Sequence, residues 1–451
     1  MLNILVELAK YFLIILMISY TSSCFTIFKI HSLSRRAGKL RKQLYLIILL
    51  DITAFLVMYL KAKEMTIIYI LLGLLGYLFV VQSFYRIFYK KASLLLVNNM
   101  CMLLSIGFLI QTRLNRQMAF RQFIIVCVAT VISFFIPVLV RKLPILHKLT
   151  WGYALVGILF LGMVFALAKV SGGAKLFISI GGFSFQPSEL VKLTYVFFLA
   201  CMLWKNHTFK NLVVTAVLAG LHVLILVAST DLGTSLVFFI TFICMIYVAT
   251  KNPFYGLLGI FSGSVAAVGA YFLFAHVRNR VVAWRDPFSV YDTVGYQIVQ
   301  SLFAIGTGGW FGMGLFQGAP QTIPVAKEDF VFAAICEELG GIFAVCLILI
   351  CMSLFILILN ISMQFHNPFY KMIALGFGVE YAFQVFLTIG GTSKFIPMTG
   401  ITLPLVSYGG SSILCTIFML SVVQGLYMLR EDEGDYLEQE RWEGRYAKEY
   451  E

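Results

Sequence analysis

The chain alternates long apolar runs with short polar connectors. Runs of about 20 residues recur along most of its length, and each is long enough to cross the hydrocarbon core of a bilayer as a helix. The pattern predicts an all-α fold, a polytopic transmembrane helical bundle with about thirteen spans. The predicted spans are 10–31, 44–61, 65–83, 94–111, 122–140, 150–169, 187–204, 212–229, 233–249, 254–275, 330–359, 369–389 and 404–429.

Composition supports a membrane protein, because 60% of the residues are hydrophobic and only 12% are charged. The net charge of +13 needs no nucleic-acid partner, since the Lys and Arg residues sit in short clusters between apolar runs, where they set topology. The positive-inside rule places these connectors in the cytoplasm, which puts the N-terminus outside and the tail 430–451 inside. The connectors concerned are 32–43, 84–93, 141–149 and 205–211.

Two further features concern processing and redox state. The first apolar run lacks a basic n-region and an obvious cleavage site, so it is interpreted as a retained helix and not as a signal peptide. All nine cysteines lie in or beside apolar segments, and no C-x-x-C or Cys/His cluster occurs. Buried free thiols are therefore expected, with neither a disulfide framework nor a zinc site.

One connector, residues 276–329, is far longer than the others and is called the long loop below. It is too rich in aromatic, glycine and aliphatic residues to be disordered, so it is expected to fold against the membrane domain on its outer side. Its cations are suited to a diphosphate, and its carboxylates to accepting a proton. The alternative is an ordered loop whose charges only solvate it. The charged residues are Arg278, Arg280, Arg285, Asp286, Asp292, Lys327, Glu328 and Asp329.

Charged groups also occur inside or at the ends of predicted spans. Glu189 and Lys192 lie three residues apart on one helical face, either as a structural pair or facing a polar cavity. Asp231 is placed to cap the following helix. Asp51 and Glu380 are intramembrane carboxylates, and Glu380 has no cationic neighbour in the sequence pattern.

A second irregular segment, residues 390–412, interrupts the backbone with glycine and proline among hydroxyl groups and Lys394. Irregular backbone at membrane depth is tolerated only where it lines a cavity or packs in protein. We therefore expect segments 183–192, 276–329 and 390–412 to converge on a polar cleft that opens outward.

Five motifs in these segments closely resemble the SEDS family of bacterial cell-wall proteins, the RodA, FtsW and SpoVE group. They are FSFQPSELVK, DLGTS, DPF followed by GYQIVQSLFAIGTGGWFGMGL, EDFVFAAICEELG, and KFIPMTGITLPLVSYGGSS. They occur in the family's order and cover roughly residues 94–429 as ten helices. Residues 1–93, about three helices, precede this core without a recognised counterpart.

The resemblance implies a peptidoglycan glycosyltransferase that polymerises lipid II at the outer face of the cytoplasmic membrane, in elongation, division or sporulation. It also implies a class B penicillin-binding transpeptidase as partner. Two alternatives remain, a lipid II flippase and a catalytically weak scaffold for a penicillin-binding protein. Charge on the diphosphate would be offset by arginines or by a divalent cation, Mg²⁺ or Mn²⁺.

One position departs from the family's pattern. A gap-free register puts Val290 where the family carries its presumed catalytic aspartate, two residues after the aromatic of the Asp-Pro-aromatic motif. Valine cannot accept a proton, so Asp292 is the first candidate for the general base and Asp286 the second. By the same matching, the substrate-binding candidates are Arg278, Arg280, Glu189, Lys192, Gln300, Lys394, Ser407 and Ser411.

Overall fold

The computed structural model describes residues 2–30, 32–142, 144–168, 176–180, 183–205 and 207–449. The chain is built almost entirely of helices. The first eight are α1 Leu2–Ile27, α2 Leu33–Ala62, α3 Met65–Phe88, α4 Leu94–Leu114, α5 Arg116–Ser133, α6 Ile136–Lys142, α7 Thr150–Leu167 and α8 Pro187–Leu203. The others are α9 Phe209–Ala228, α10 Leu232–Thr250, α11 Pro253–Leu273, α12 Ala275–Arg285, α13 Tyr296–Gly308, α14 Val331–Gln364, α15 Pro368–Thr392 and α16 Gly410–Glu449.

The predicted spans correspond to these helices. In the described part of the chain, 12 helical segments are long and apolar enough to cross a membrane, and α5 and α6 together form one of them. The remaining predicted span, 187–204, corresponds to α8, which has 17 residues. The prediction of a polytopic helical bundle is therefore confirmed, and the protein is a multi-pass membrane protein.

Several boundaries differ from the prediction. The basic connector 32–43 is not a loop, because α2 begins at Leu33 and carries its cluster of Arg and Lys as helix. The last span begins at Gly410 and not at residue 404, since the preceding glycine- and proline-rich residues stay irregular. The tail from residue 430 to 449 continues α16. A short antiparallel hairpin, β1 Ile178–Ile180 and β2 Phe183–Phe185, precedes α8.

The bundle has a buried centre and a lipid-facing periphery. Of the membrane-spanning helices, α4 is the most enclosed, since 94% of the residues in its apolar 18-residue stretch are buried. Helix α11, in contrast, has no buried residue. Gly107 on α4 permits close packing, since a Cβ there would lie 2.7 Å from the carbonyl oxygen of Leu405. The irregular segment before α16 therefore crosses directly against the central helix.

The N-terminal helices pack on this centre through polar as well as apolar groups. On α1, the hydroxyl of Tyr20 donates to Asn99 Oδ1 at 3.0 Å, and Asn99 Nδ2 donates to Ser353 Oγ on α14 at 3.4 Å. The predicted intramembrane carboxylate Asp51 accepts a hydrogen bond from Ser105 Oγ at 2.9 Å. These buried bonds fix α1 and α2 against α4 and α14, because an unpaired polar group in hydrocarbon is costly.

Candidate functional site

After α11, the long loop forms a short helix, α12, then a turn over residues 286–295, and then helix α13. Two residues of α12 attach it to the irregular segment that follows α15. Arg280 Nη1 donates to the carbonyl of Thr399 at 3.0 Å, and Trp284 Nε1 donates to the carbonyl of Lys394 at 3.2 Å. On α13, Ser301 Oγ donates to the carbonyl of Thr392 at 2.8 Å. The first half of the loop, residues 275–308, thus contacts residues 392–399.

The second half, residues 309–330, is inserted into a break in α14. The break lies at Gly340, whose φ of 89° and ψ of 167° are available only to glycine. The amides of Met313 and Gly314 donate to the carbonyls of Glu337 and Glu338 at 2.8 and 2.9 Å. In return, the Gly341 amide donates to the carbonyl of Gly309 at 2.8 Å. The glycine-rich turn 309–314 therefore completes the hydrogen bonding of the interrupted helix.

Two buried carboxylates of the EELG motif hold the next part of the loop. Glu337 Oε1 accepts from the amide of Ala319 at 2.8 Å. Glu338 Oε1 accepts from Arg113 Nε at 2.7 Å and from the amide of Phe316 at 3.3 Å. The Arg113 guanidinium also lies 4.2 Å from the centre of the Phe316 ring. These acidic residues thus serve as acceptors that fix the loop.

The end of the loop is held by three consecutive backbone carbonyls. Those of Lys327, Glu328 and Asp329 accept hydrogen bonds from Gln111 Nε2 at 2.8 Å, Ser407 Oγ at 2.5 Å and Thr392 Oγ1 at 3.2 Å. The residues immediately before α14 are consequently fixed to α4, α15 and the segment before α16.

An open cleft of about 470 Å³ lies between the two halves of the loop and the segment before α16. It contains one cation and one anion, Arg280 and Asp329. Both lie close to Gly400, where a Cβ would sit 3.5 Å from Arg280 Nη2 and 3.7 Å from Asp329 Oδ2. The lining residues are Asn279, Arg280, Ala283, Thr293, Val294, Tyr296, Gln297, Ile298, Pro324, Asp329, Met398 and Gly400.

Burial changes the acid strength of the carboxylates in this cleft. It raises the pKa of Asp329 from 3.8 to about 6, helped by the neighbouring Glu328 and opposed by Arg280. Burial also raises the pKa of Glu328, against the effect of Lys327. Asp329 therefore changes charge near pH 6, beside the Arg280 guanidinium.

The two aspartates predicted as general bases lie outside this set of lining residues. Asp286 is exposed after α12, and its Oδ1 accepts from the Ser289 amide at 3.4 Å. Asp292 is exposed on the same turn, immediately before Thr293 and Val294, which do line the cleft. Asp292 consequently lies at the edge of the cleft.

The aligned position Val290 has a structural part in this turn. Its side chain is half-buried, and its carbonyl accepts from the amides of Thr293 and Gly295 at 3.2 and 2.9 Å. Gly295 is required there, since a Cβ would lie 2.2 Å from the carbonyl oxygen of Pro287. Residues 287–295 thus form a closed turn that presents the Asp292 side chain to solvent.

The predicted pair Glu189 and Lys192 is buried at a site separate from the open cleft. Lys192 Nζ lies 2.7 Å from Glu189 Oε2 and donates to Gln384 Oε1 at 2.8 Å. Together with Glu380 these groups line a small cavity of about 20 Å³, the size of one water. Lys192, from another helix, is thus a cationic neighbour of Glu380 that the sequence pattern did not show.

The segments 183–192 and 390–412 do meet, as expected. The Gln186 amide donates to Ser411 Oγ at 2.9 Å, and Ser188 Oγ donates to Asp231 Oδ2 at 3.2 Å. Asp231 Oδ1 also accepts from the Thr234 amide at 3.2 Å, so its predicted role as the cap of α10 is confirmed. Segment 390–412 thus contacts both segment 183–192 and helix α12, but among the described residues only those of 276–329 and 390–412 line the open cleft.

The other predicted binding residues differ in availability. The Ser407 and Ser411 hydroxyls are occupied by backbone partners, and Gln300 Nε2 donates to the Tyr291 hydroxyl at 3.1 Å. Arg278 is exposed on α12, and Lys394 is partly exposed with a positive φ of 60°. Of the eight predicted substrate-binding residues, Arg280 lines the open cleft.

Sequence reasoning missed Asp329, Asn279 and Gln297 as cleft residues. The available signal for Asp329 was its position as a carboxylate directly before a long apolar span. In the described part of the chain, no group of three or more His, Cys, Asp or Glu residues is placed to hold a metal ion.

Comparison with known proteins identifies the family of the chain. Residues 85–431 match the family described as "Cell cycle protein", which comprises FtsW, RodA and SpoVE. The peptidoglycan glycosyltransferase RodA of Mycobacterium bovis is 36% identical over 301 residues, covering 60% of this chain and 63% of the relative. The chain thus spans less than two thirds of that relative's length.

Two further comparisons extend the coverage. The probable peptidoglycan glycosyltransferase FtsW of Aliivibrio salmonicida is 32% identical over 347 residues, 73% of this chain and 85% of the relative. A chain in a solved structure titled "Structural coordination of polymerization and crosslinking by a peptidoglycan synthase complex" superposes with a TM-score of 0.64 at 25% identity. That match covers 75% of this chain and 98% of the other. The protein therefore belongs to the FtsW, RodA and SpoVE family.

Proposed function

We propose that the protein is a peptidoglycan glycosyltransferase that polymerises lipid II into glycan strands at the outer face of the cytoplasmic membrane. The observation that carries this proposal is the cleft of about 470 Å³, with Arg280 and Asp329 between the long loop and the ends of membrane helices. A substrate with a lipid tail and a water-soluble sugar requires such a boundary position. The names of the Mycobacterium and Aliivibrio relatives support the same activity.

The orientation belongs to the same proposal. Basic clusters in α2, around residues 84–93 and 141–149, and near residue 205 support a cytoplasmic position for those ends. The long loop and the N-terminus are then outside, and the end of α16 is inside. The connector between α4 and α5 carries Arg113 and Arg116 on the outer side, but Arg113 is bound to the buried Glu338 and Arg116 to Glu64. These pairings account for its departure from the charge rule.

In the proposed reaction the 4-hydroxyl of one GlcNAc attacks the anomeric carbon of a MurNAc. A carboxylate accepts the hydroxyl proton, the new glycosidic C–O bond forms, and the bond to undecaprenyl diphosphate breaks. Asp292, at the edge of the cleft, is the proposed base and Asp286 the second candidate. Asp329 is a third, because it lies within the cleft and burial raises its pKa to about 6.

Arg280 is placed to offset the charge of the leaving diphosphate. A guanidinium presents parallel donors that match phosphate oxygens, and Arg280 is already oriented by its bond to the Thr399 carbonyl. Arg278, on the same helix, and Lys394, whose carbonyl accepts from Trp284 of that helix, are further cations. A Mg²⁺ or Mn²⁺ ion is usually held by one or two carboxylates and the substrate's phosphates, and Asp329 offers such a carboxylate. When bound, the ion would offset diphosphate charge.

A class B penicillin-binding protein is the proposed partner. The similar solved chain comes from a structure whose title describes polymerisation coordinated with crosslinking in a synthase complex. A transpeptidase beside this protein would crosslink the strand as it forms. The match covers 98% of that chain, which supports a comparable assembly for this protein.

The test is glycan-strand synthesis from labelled lipid II by purified protein, with and without its coexpressed class B partner. We expect polymer from the wild type and a loss of about 10²-fold or more in Asp292→Ala, as for removal of a general base. Asp286→Ala and Asp329→Ala run in parallel, and a larger loss in either would move the base to that residue.

A non-catalytic scaffold is the second candidate, and Val290 is the observation that favours it. If the wild type makes no polymer even with its partner, while Val290→Asp does, the valine has removed activity and the scaffold is correct. Transport of lipid II in sealed vesicles without polymer would instead indicate a flippase.

A further inference from the structure

The outer end of α1 contacts the glycine-rich turn of the long loop. Lys10 Nζ donates to the carbonyl of Gly312 at 3.2 Å. The rings of Tyr11 and Phe311 are 5.5 Å apart. Gly314, with a φ of 101°, lies so close that a Cβ there would be 3.1 Å from Val6 Cγ1. Three successive parts of the turn 309–314 are thus in contact with one face of α1.

The Lys10 side chain is less exposed than that of a typical lysine at a membrane interface. Such a lysine usually extends its ammonium into water, but the Lys10 side chain is only 11% exposed. Its ammonium lies 2.7 Å from Glu7 Oε2, one turn away, and reaches the Gly312 carbonyl from there. The pair Glu7 and Lys10 therefore directs a charged donor at the loop.

The contacted turn connects the two halves of the long loop. It follows α13, which contributes Tyr296, Gln297 and Ile298 to the cleft, and it forms the backbone bonds with the break in α14. Helix α1 is itself held at mid-membrane by Tyr20 and Asn99. The contact thus joins a fixed helix to the segment that directly follows the end of α13.

This helix lies outside the region shared with the family. The family match begins at residue 85, and the similar solved chain is 98% covered by 75% of this chain. We propose that α1 is a built-in positioning element for the long loop, and that Lys10 is a positioning residue which orders the turn 309–314 and, through it, the α13 wall of the cleft. The catalytic consequence rests on the proposed function, whereas the ordering does not.

The test compares Lys10→Met with Lys10→Arg in the full-length protein in lipid nanodiscs. Hydrogen–deuterium exchange is measured in two windows, residues 309–314 and residues 296–301. We expect about fivefold faster exchange in both windows for Lys10→Met, corresponding to the loss of one hydrogen bond, and near wild-type exchange for Lys10→Arg. Lys29→Met, at an exposed lysine just beyond the opposite end of α1, is the matched control and should change neither window.

Unchanged exchange in Lys10→Met, or equal change in Lys29→Met, would overturn the proposal. A response confined to residues 309–314 would show a local contact without a positioning role and would overturn it as well. In the glycan synthesis assay, Lys10→Met is expected to raise the KM for lipid II more than it lowers kcat. If the wild type makes no glycan, the proposed function fails, while the exchange result still decides whether α1 orders the loop.

Discussion

The two halves of the long loop are attached to the membrane domain in different ways. Residues 275–308 are held by side chains that reach single carbonyls, such as Arg280 to Thr399 and Ser301 to Thr392. Residues 309–330 are held by backbone bonds into the break of α14 and by buried carboxylates. The exposed candidate bases lie on the first half, and Asp329 lies on the second. The wall of the cleft formed by residues 275–308 is therefore held by few side-chain bonds, whereas the wall formed by residues 309–330 is held by backbone bonds and buried carboxylates.

The largest effect is expected from closing the break in α14. In Gly340→Ala a Cβ would lie 2.3 Å from the Gly312 amide nitrogen, at a φ that only glycine tolerates. We expect loss of most monodisperse protein in size-exclusion chromatography of a fluorescent fusion. Gly306→Ala on α13 is the control, since a Cβ there meets nothing within 4 Å and should leave the yield unchanged. Normal yield in Gly340→Ala would mean that the second half of the loop is not fixed as described.

The next largest effect concerns the buried pair beneath the second half. Glu338→Gln leaves the Arg113 guanidinium without its charged partner, and we expect the free energy of unfolding to fall by about 3 kcal/mol. The measurement is the thermal unfolding midpoint in detergent. Glu64→Gln breaks the exposed pair with Arg116 and should cost less than about 1 kcal/mol. Equal shifts in the two variants would contradict the different anchoring of the two sites.

A smaller, graded effect is expected from pH at the boundary between the halves. Because the pKa of Asp329 is raised from 3.8 to about 6, the folded state binds this proton more tightly, and its contribution to stability falls as pH rises from about 4 to 6. The carboxylate that can accept a proton or balance Arg280 forms over the upper part of the same range. Initial rates of glycan synthesis should therefore rise through pH 6, and Asp329→Asn should remove that rise. A midpoint near pH 4 would exclude Asp329 as the titrating group.

The sequence predicted the helices well because the bilayer imposes their length and apolarity. It predicted the meeting of distant segments because glycine and proline inside an apolar region must pack against protein or line a cavity. It could not show that Lys192 lies beside Glu380, or that Ser407 holds the carbonyl of Glu328, since these contacts join separate helices. The local sequence pattern carries no information on which residues of separate helices come into contact.

The chemistry was predicted less completely than the fold. Arg280 was recognised from its position before the Asp-Pro motif, but Asp329 was named only among the charged residues of the long loop and not as a site residue. Asp329 lies in the cleft because residues 309–330 pack into the break in α14. That break lies at Gly340, which has a positive φ. The backbone conformation at Gly340 thus helps to determine which carboxylate lies near Arg280, and a sequence motif does not show this.

Helix α11 gives the first half of the loop a further property. None of its residues is buried, and it approaches α10 closely at glycines 259 and 263, so most of its surface faces lipid. A helix of 21 residues spans about 32 Å, close to the thickness of the hydrocarbon core. We therefore expect a mismatched bilayer to change the tilt of α11 more readily than that of the enclosed helices, and with it the position of α12 and Arg280. Bilayer thickness would then influence the width of the cleft.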